Sequence, residues 1–409
     1  MLCRRSIIKL GLVSPFFSFN ELSSKEKQNN SKNVIMLFLA GGMSHSDNFN
    51  IAPDAVDKYK SVSGFIKNKQ GHIGGNWQNL SKIGDLYSLV HSFGHINSGH
   101  QGGTAYVIDG FNFTDENQGA KQTHPSPGSF LAKYFGTINN GIPTYVAVSR
   151  VFGLESSYLG NIYNPFSLDD QGKKDLMLNI PEERLILRKL MLNQVNKFAH
   201  VPSYVDSHKE QAFKLLTGNS RQIFEVDNEP QNIRELYGKT NIGNQLLLAR
   251  RLIEKGSRFV TVVHGGWDMH QNIQKSLENL VPEVDKALSA LLVDLKNKGL
   301  LDDTLVIVNT EFGRTPLNNG IVGAEQAAPG RDHYSRVTPL LLAGGGYGGT
   351  IIGKMDKNGF EVSENAYSPV DLLHTIMNHV GIQKSLTNTD FSGRPRYIID
   401  GESKIIKNV

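Results

Sequence analysis

Cysteine is nearly missing from this chain. Cys3 is the only one in 409 residues, so the chain beyond it can form no internal disulfide and offers neither a thiol nucleophile nor a thiolate metal ligand. Net charge is also scarce. Of the formal +4, Arg4, Arg5 and Lys9 supply three charges within a first twenty residues that contain no acid. The nearly neutral remainder excludes a nucleic-acid binder that works through a basic surface. Long apolar runs are missing too: Leu10 to Phe19 is too short to cross a bilayer as a helix. No transmembrane segment is therefore expected in the mature chain. What is plentiful is core material, since 39% of residues are hydrophobic, enough for one large α/β domain or two smaller ones.

The N-terminal stretch Cys3-Arg4-Arg5-Ser6-Ile7-Ile8-Lys9, followed by that short apolar run, resembles a twin-arginine export signal. No Ala-x-Ala marks a cleavage point. Glu21 to Asn33 is rich in Lys, Asn and Ser and reads as disordered. Residues 1–32 are thus expected to be an export signal and linker, read by the twin-arginine machinery, and the protein to be periplasmic or secreted in a bacterium.

From residue 33 onward, short apolar runs alternate with helical periodicity, the pattern of an α/β fold with a doubly wound, mostly parallel sheet flanked by helices. Strands are predicted at Val34–Leu39, Tyr87–His91, Thr144–Val148, Phe259–Val263, Thr304–Asn309 and Thr338–Leu342. Helices are predicted at 105–108, closed by Gly110, at 129–135, and through the apolar positions Val284, Leu288, Leu291, Leu292 and Leu295. A further helix runs from Ser368-Pro369 to Gly381. About 169–255 reads as a helical insertion, with helices at 182–198, 208–216 and 245–254. No internal repeat is seen.

In parallel sheets, ligands gather beyond the carboxyl ends of the strands. The runs at 34–39, 259–263 and 304–309 empty into His45 and Asp47, into His264-Gly265-Gly266-Trp267-Asp268-Met269-His270, and into Glu311-Phe312-Gly313-Arg314. Gly330-Arg331-Asp332-His333 precedes the last run. His91, His95 and His100 crowd the turn after the second strand. Neutral imidazoles and carboxylates together suit zinc or manganese; calcium, which prefers oxygen ligands, is possible. Asp47, His264, Asp268, His270, Glu311 and His333 are the candidate ligands of one or two divalent ions. Two such ions would clamp and activate an ester. Arg314 and Arg331 are candidates to hold an anionic ester in bidentate fashion, although a structural ion pair would serve Arg331 as well.

The motifs His-Gly-Gly-Trp-Asp-x-His, Glu-Phe-Gly-Arg-Thr-Pro and Gly-Arg-Asp-His, behind a twin-arginine leader, closely resemble domain-of-unknown-function family 1501. So do the stretches at 248–256 and 300–306, and the resemblance extends from Asn33 onward. That family is grouped with the alkaline phosphatase and sulfatase superfamily, which implies a doubly wound sheet with one or two metals at its carboxyl edge. The resemblance places Glu311, His333, Asp268 and His270 at metal-ligand positions. It also places His100 where sulfatases carry their nucleophile, ten residues before the close of a helix. A histidine there departs from the Ser, Thr or Cys of the superfamily. His100 is then a metal ligand or a nucleophile, or a metal-activated water attacks directly, or hydrolysis has been lost. Two functions are carried forward: an exported metal-dependent hydrolase of a phosphate or sulfate ester, or a degenerate member acting as an exported binding or assembly protein.

Overall fold

The computed structural model describes residues 32–112, 122–136, 141–169, 176, 180–196, 203–217, 219–318 and 329–408. Lys32–Val409 form one compact unit. The expected export signal lies outside the described residues, Lys32 excepted.

Eight strands form the central sheet: β1 (Asn33–Leu39), β2 (Tyr87–Val90), β3 (Tyr145–Ala147), β4 (Phe166–Ser167), β5 (Phe259–His264), β6 (Thr304–Asn309), β7 (Leu341–Ala343) and β8 (Ile351–Ile352). Their order is β8-β2-β7-β6-β1-β5-β3-β4. β1 sits at the centre, parallel to β5 on one side and β6 on the other, with Phe38 level with Val263 and with Asn309. All seven residues of β1 are buried. The near-continuous apolar run reflects a strand covered on both faces: Ile35, Leu37 and Leu39 enter one core while Val34, Met36 and Phe38 enter the other.

Helices close both cores. On the Ile35 side lie α6 (Asn241–Glu254) and α7 (Ile273–Asn297), which bury Leu246, Leu252, Leu277, Val284, Leu288 and Leu291. On the Val34 side lie α1 (His100–Asp109), α2 (Pro127–Phe135) and α8 (Pro369–His379). α8 starts where Ser368 and Asp371 form a reciprocal cap, the Asp371 carboxylate accepting from the Ser368 backbone N–H at 2.8 Å. The segment between β4 and β5 carries α3 (Glu182–Asn196), α4 (Ser203–Thr217), α5 (Gln231–Tyr237) and α6. Of these, α6 belongs to the layer covering the sheet. No helix among the described residues is long and apolar enough to cross a membrane.

Three elements differ from the sequence reading. α1 begins at His100, five residues earlier than predicted, because Gly102 and Gly103 fall inside its first turn. α7 begins at Ile273 and continues past Pro282. The lost hydrogen bond there is outweighed by burying Leu277 and Val281 on the core side. The last long apolar run forms β7 over 341–343, and β7 is antiparallel to both β2 and β6. An apolar run says nothing about direction. The reversal matters, because it puts the start of β7 at the carboxyl edge of its parallel neighbours, so a residue preceding it reaches that edge.

Two histidines near that edge are neutral core groups. The wholly buried His45 ring donates from Nε2 to the Gly359 carbonyl at 2.8 Å. His95 donates from Nε2 to the Glu311 carbonyl at 2.8 Å and accepts the Asn97 N–H at Nδ1. Burial pushes both down to about 4. The unfolded chain therefore takes up these protons near pH 6.5, while the folded chain refuses them until about pH 4. Stability is complete above pH 6.5 and falls as the pH drops through that window, by about 2 kcal/mol per imidazole at pH 5. Urea unfolding at pH 7 and pH 5 should show a lower midpoint at pH 5, and His95→Gln should flatten the pH dependence. An unchanged slope in that variant would show that His95 does not titrate differently in the two states.

Candidate metal centre

The centre is assembled where β1, β5 and β6 end. Beyond β1 the chain turns at Gly41 (φ +121°), where a Cβ would lie 2.4 Å from the backbone nitrogen of Asp268. Only glycine lets these two strand ends touch. Beyond β6, Gly313–Arg314 pairs antiparallel with His333–Tyr334, and His333 is level with Arg314. The preceding turn docks on the loop after β5: Arg331 N–H donates to the Met269 carbonyl at 3.1 Å. A Cβ on Gly330 would strike the His270 backbone at 2.2 Å.

Three imidazoles and one carboxylate converge. His270 Nε2 is 3.0 Å from Asp268 Oδ1 and 3.1 Å from His333 Nε2. His333 Nε2 is 3.2 Å from the same Asp268 oxygen, and His100 Nε2 is 3.4 Å from Asp268 Oδ2. His100, Asp268 and His333 each offer a ligand atom within 4.8 Å of the others. The opposite nitrogen of every ring is engaged by an acceptor. His100 Nδ1 donates to Glu311 Oε1 at 2.9 Å, His270 Nδ1 to Asp332 Oδ1 at 2.9 Å, and His333 Nδ1 to the Ser98 carbonyl at 2.9 Å. With Nδ1 so committed, the Nε2 atom of each ring is left facing the Asp268 carboxylate. Outer acceptors that fix the tautomer in this way are the usual support of metal-bound histidine. Nitrogen and carboxylate donors of His100, Asp268 and His333 lie close enough together to hold one ion, with His270 Nε2 beside them, so the donor set fits a divalent ion.

Burial pushes the Asp268 carboxyl up, but the wholly buried Arg314 guanidinium bonded to it outweighs this and holds it down at about 2. The Glu311 hydrogen bond raises His100, whereas burial and Arg314 lower His333. Phe312 backs the group, its ring 4.3 Å from that of His333 and 5.1 Å from that of His100.

The structure thus brings together His100, Asp268, His270, His333, Glu311 and Arg314, but in different capacities. The Glu311 side chain is only 3% exposed. Its Oε1 accepts from Gly41 N–H at 2.8 Å and from His100, and its Oε2 accepts from the Thr310 hydroxyl. It holds His100 from behind through Oε1. Arg314 is wholly buried and bonded to Asp268 and the carbonyls of Gly41, Gly42 and Arg331, so it positions Asp268 and presents no open fork to a substrate. Three residues stand apart from the centre. Asp47 is wholly buried against Arg331, at 2.8 Å, and also accepts from Ser44 Oγ and Val62 N–H. Arg331 spends its remaining donors on the carbonyls of Lys60, Thr315 and Pro316. A charge pulled into the interior is stable only when it is paired and hydrogen-bonded, and these two residues satisfy each other. His264 accepts from Trp267 Nε1 at 3.2 Å and anchors that ring.

Asp332 and the Ser98 carbonyl were not singled out from the sequence. A carboxylate next to a ligand histidine was a readable hint for Asp332. A main-chain carbonyl leaves no mark in sequence.

The chain belongs to the family described as "Protein of unknown function (DUF1501)", which matches residues 31–409. The resemblance read from its motifs is borne out. Among curated proteins no relative matches. Solved structures similar to it include the PsFucS1 sulfatase from Pseudoalteromonas sp. (13% identity, TM-score 0.44, covering 88% of this chain and 70% of that one). Another is the alkaline phosphatase of the Antarctic bacterium TAB5 (14%, 0.38, 87% and 99%). A third is the lipoteichoic acid synthase LtaP from Listeria monocytogenes (13%, 0.33, 87% and 73%).

Proposed function

We propose that the protein is an exported metal-dependent hydrolase of a phosphate or sulfate ester, working at the His100–Asp268–His270–His333 centre. The observation that carries this reading is the convergence of three imidazole Nε2 atoms on one carboxylate, each ring oriented from behind. A nitrogen-rich set of this kind suits zinc or manganese better than calcium, and a single cluster of donors supports one ion. Held there, a divalent cation supplies Lewis acidity toward an ester oxygen and acidifies water. The chain's own residues do the rest. Glu311, Asp332 and the Ser98 carbonyl hold the imidazoles, Arg314 holds Asp268, and Phe312 closes the inner wall. Asp268 and His100 have side chains 46% and 42% exposed, so water and substrate approach from that side. The Ser98 hydroxyl donates to Ser335 Oγ at 3.0 Å. His100, bonded through Nδ1 to Glu311, is set as a ligand.

Protein purified without chelator is expected to hold about one divalent ion per chain and to hydrolyse a p-nitrophenyl ester. His100→Ala should lower both by about tenfold or more. Metal content near zero in the wild type would sink the reading. Metal retained with no turnover of any phosphate or sulfate ester would favour the binding-protein alternative.

Export rests on the leader. Replacing Arg4 and Arg5 by Lys should leave the protein in the cytoplasm, as read by fractionation, because the signal is recognised through that pair. Continued export of the double variant would dismiss it.

A further inference from the structure

The charge around a hydrolytic centre limits which esters it can take. Resting on the hydrolase reading, we propose that this centre selects esters carrying a single negative charge, either a sulfate monoester or a phosphodiester, over the dianion of a phosphate monoester.

Three carboxylates act on the converging nitrogens: Asp268 directly, Glu311 behind His100, and Asp332 behind His270. One guanidinium, Arg314, answers them. Three negative charges against one positive leave a deficit of two, which one divalent ion cancels and does not exceed. A phosphate monoester would bring two further negative charges into that neutral setting. Its oxygens would meet two carboxylates with exposed faces, since the side chains of Asp268 and Asp332 are 46% and 50% exposed. Among the described residues, the two arginines beside the centre are spent. Both Arg314 and Arg331 are wholly buried and bonded to carbonyl and carboxylate oxygens. Neither can present the bidentate fork on which recognition of a phosphate dianion commonly depends. A singly charged ester leaves one non-bridging oxygen charge to be met by the metal, and its other oxygens are neutral or share that charge. Like charges a few ångströms apart at a partly exposed site are unfavourable enough to separate the two classes.

Asp332 makes the idea testable. It is half-exposed, and Asn in its place keeps an oxygen to accept from His270 Nδ1 while removing one negative charge. The probes are methyl phosphate, dimethyl phosphate and methyl sulfate, titrated calorimetrically into zinc-loaded protein at pH 8, where the first is a dianion. The expected result is that dimethyl phosphate or methyl sulfate binds about tenfold or more tightly than methyl phosphate. Asp332→Asn should narrow that gap several-fold. The ratio of kcat/KM for p-nitrophenyl sulfate or bis(p-nitrophenyl) phosphate to that for p-nitrophenyl phosphate should shift in the same direction. Which of the two monoanions leads separates sulfatase from phosphodiesterase. Equal or tighter binding of methyl phosphate overturns the proposal, and so does a gap that Asp332→Asn leaves unchanged. If zinc is held but none of the three probes binds, the ester reading itself fails, and this inference with it.

Discussion

Asp268→Asn is expected to weaken zinc binding by about 100-fold or more while leaving the fold intact. Asp268 is the one carboxylate among the converging ligands, and its two oxygens face all three imidazoles. The amide is nearly isosteric, but it carries no charge and its nitrogen is no ligand. Arg314 keeps three carbonyl partners in the variant, so the buried guanidinium is not stranded. Calorimetric titration of zinc into the metal-free protein measures the loss, and circular dichroism checks the fold. Glu311→Gln makes a graded comparison. It removes charge from behind His100 without touching a ligand, so its effect should be about 10- to 100-fold. Wild-type zinc affinity in Asp268→Asn would mean that the ion, if any, sits elsewhere.

Asp47→Ala should be among the most destabilising polar substitutions in the chain. It strips the wholly buried Arg331 of its only carboxylate partner among the described residues, and removing one partner of a buried ion pair costs about 3–5 kcal/mol. The loop at 60–62 loses a tie as well, because Asp47 accepts from Val62 N–H. Urea unfolding should show the loss, and the double variant Asp47→Ala/Arg331→Met should recover part of it by removing the stranded charge. The same experiment separates the roles. If Asp47→Ala kept full stability and lost metal, Asp47 would be the ligand that its position in the sequence suggested.

That contrast shows how far the sequence could be read. β1, β5 and β6 were legible because strands buried on both faces leave uninterrupted Val, Ile and Leu runs, and the ends of such strands point to the site. Asp268, His270 and Glu311 follow from that logic, and His333, which precedes its strand, joins them through the family resemblance. Whether a particular Arg or Asp faces solvent, substrate or a partner is set by packing between segments hundreds of residues apart. Asp47 and Arg331 are separated by 284 positions, and no local pattern announces their pairing. The direction of β7 was equally hidden, although it explains why a histidine that precedes its strand stands beside residues that follow theirs.

The close contact at Gly41 has a consequence in time. The centre draws on Gly41, His100, Asp268, Glu311 and His333, and the last of these is positioned only when the 313–314 and 333–334 segments have paired. Contacts of such long separation form late, after most of the chain has already been ordered. Unlike a zinc finger, where the ion organises an otherwise unfolded peptide, this chain has no ligand cluster to offer until its sheet is built. On the metal-binding reading, folding is expected to come first and metal loading second. A chelator present during refolding should leave the refolding rate unchanged and yield a folded protein that takes up its ion afterwards.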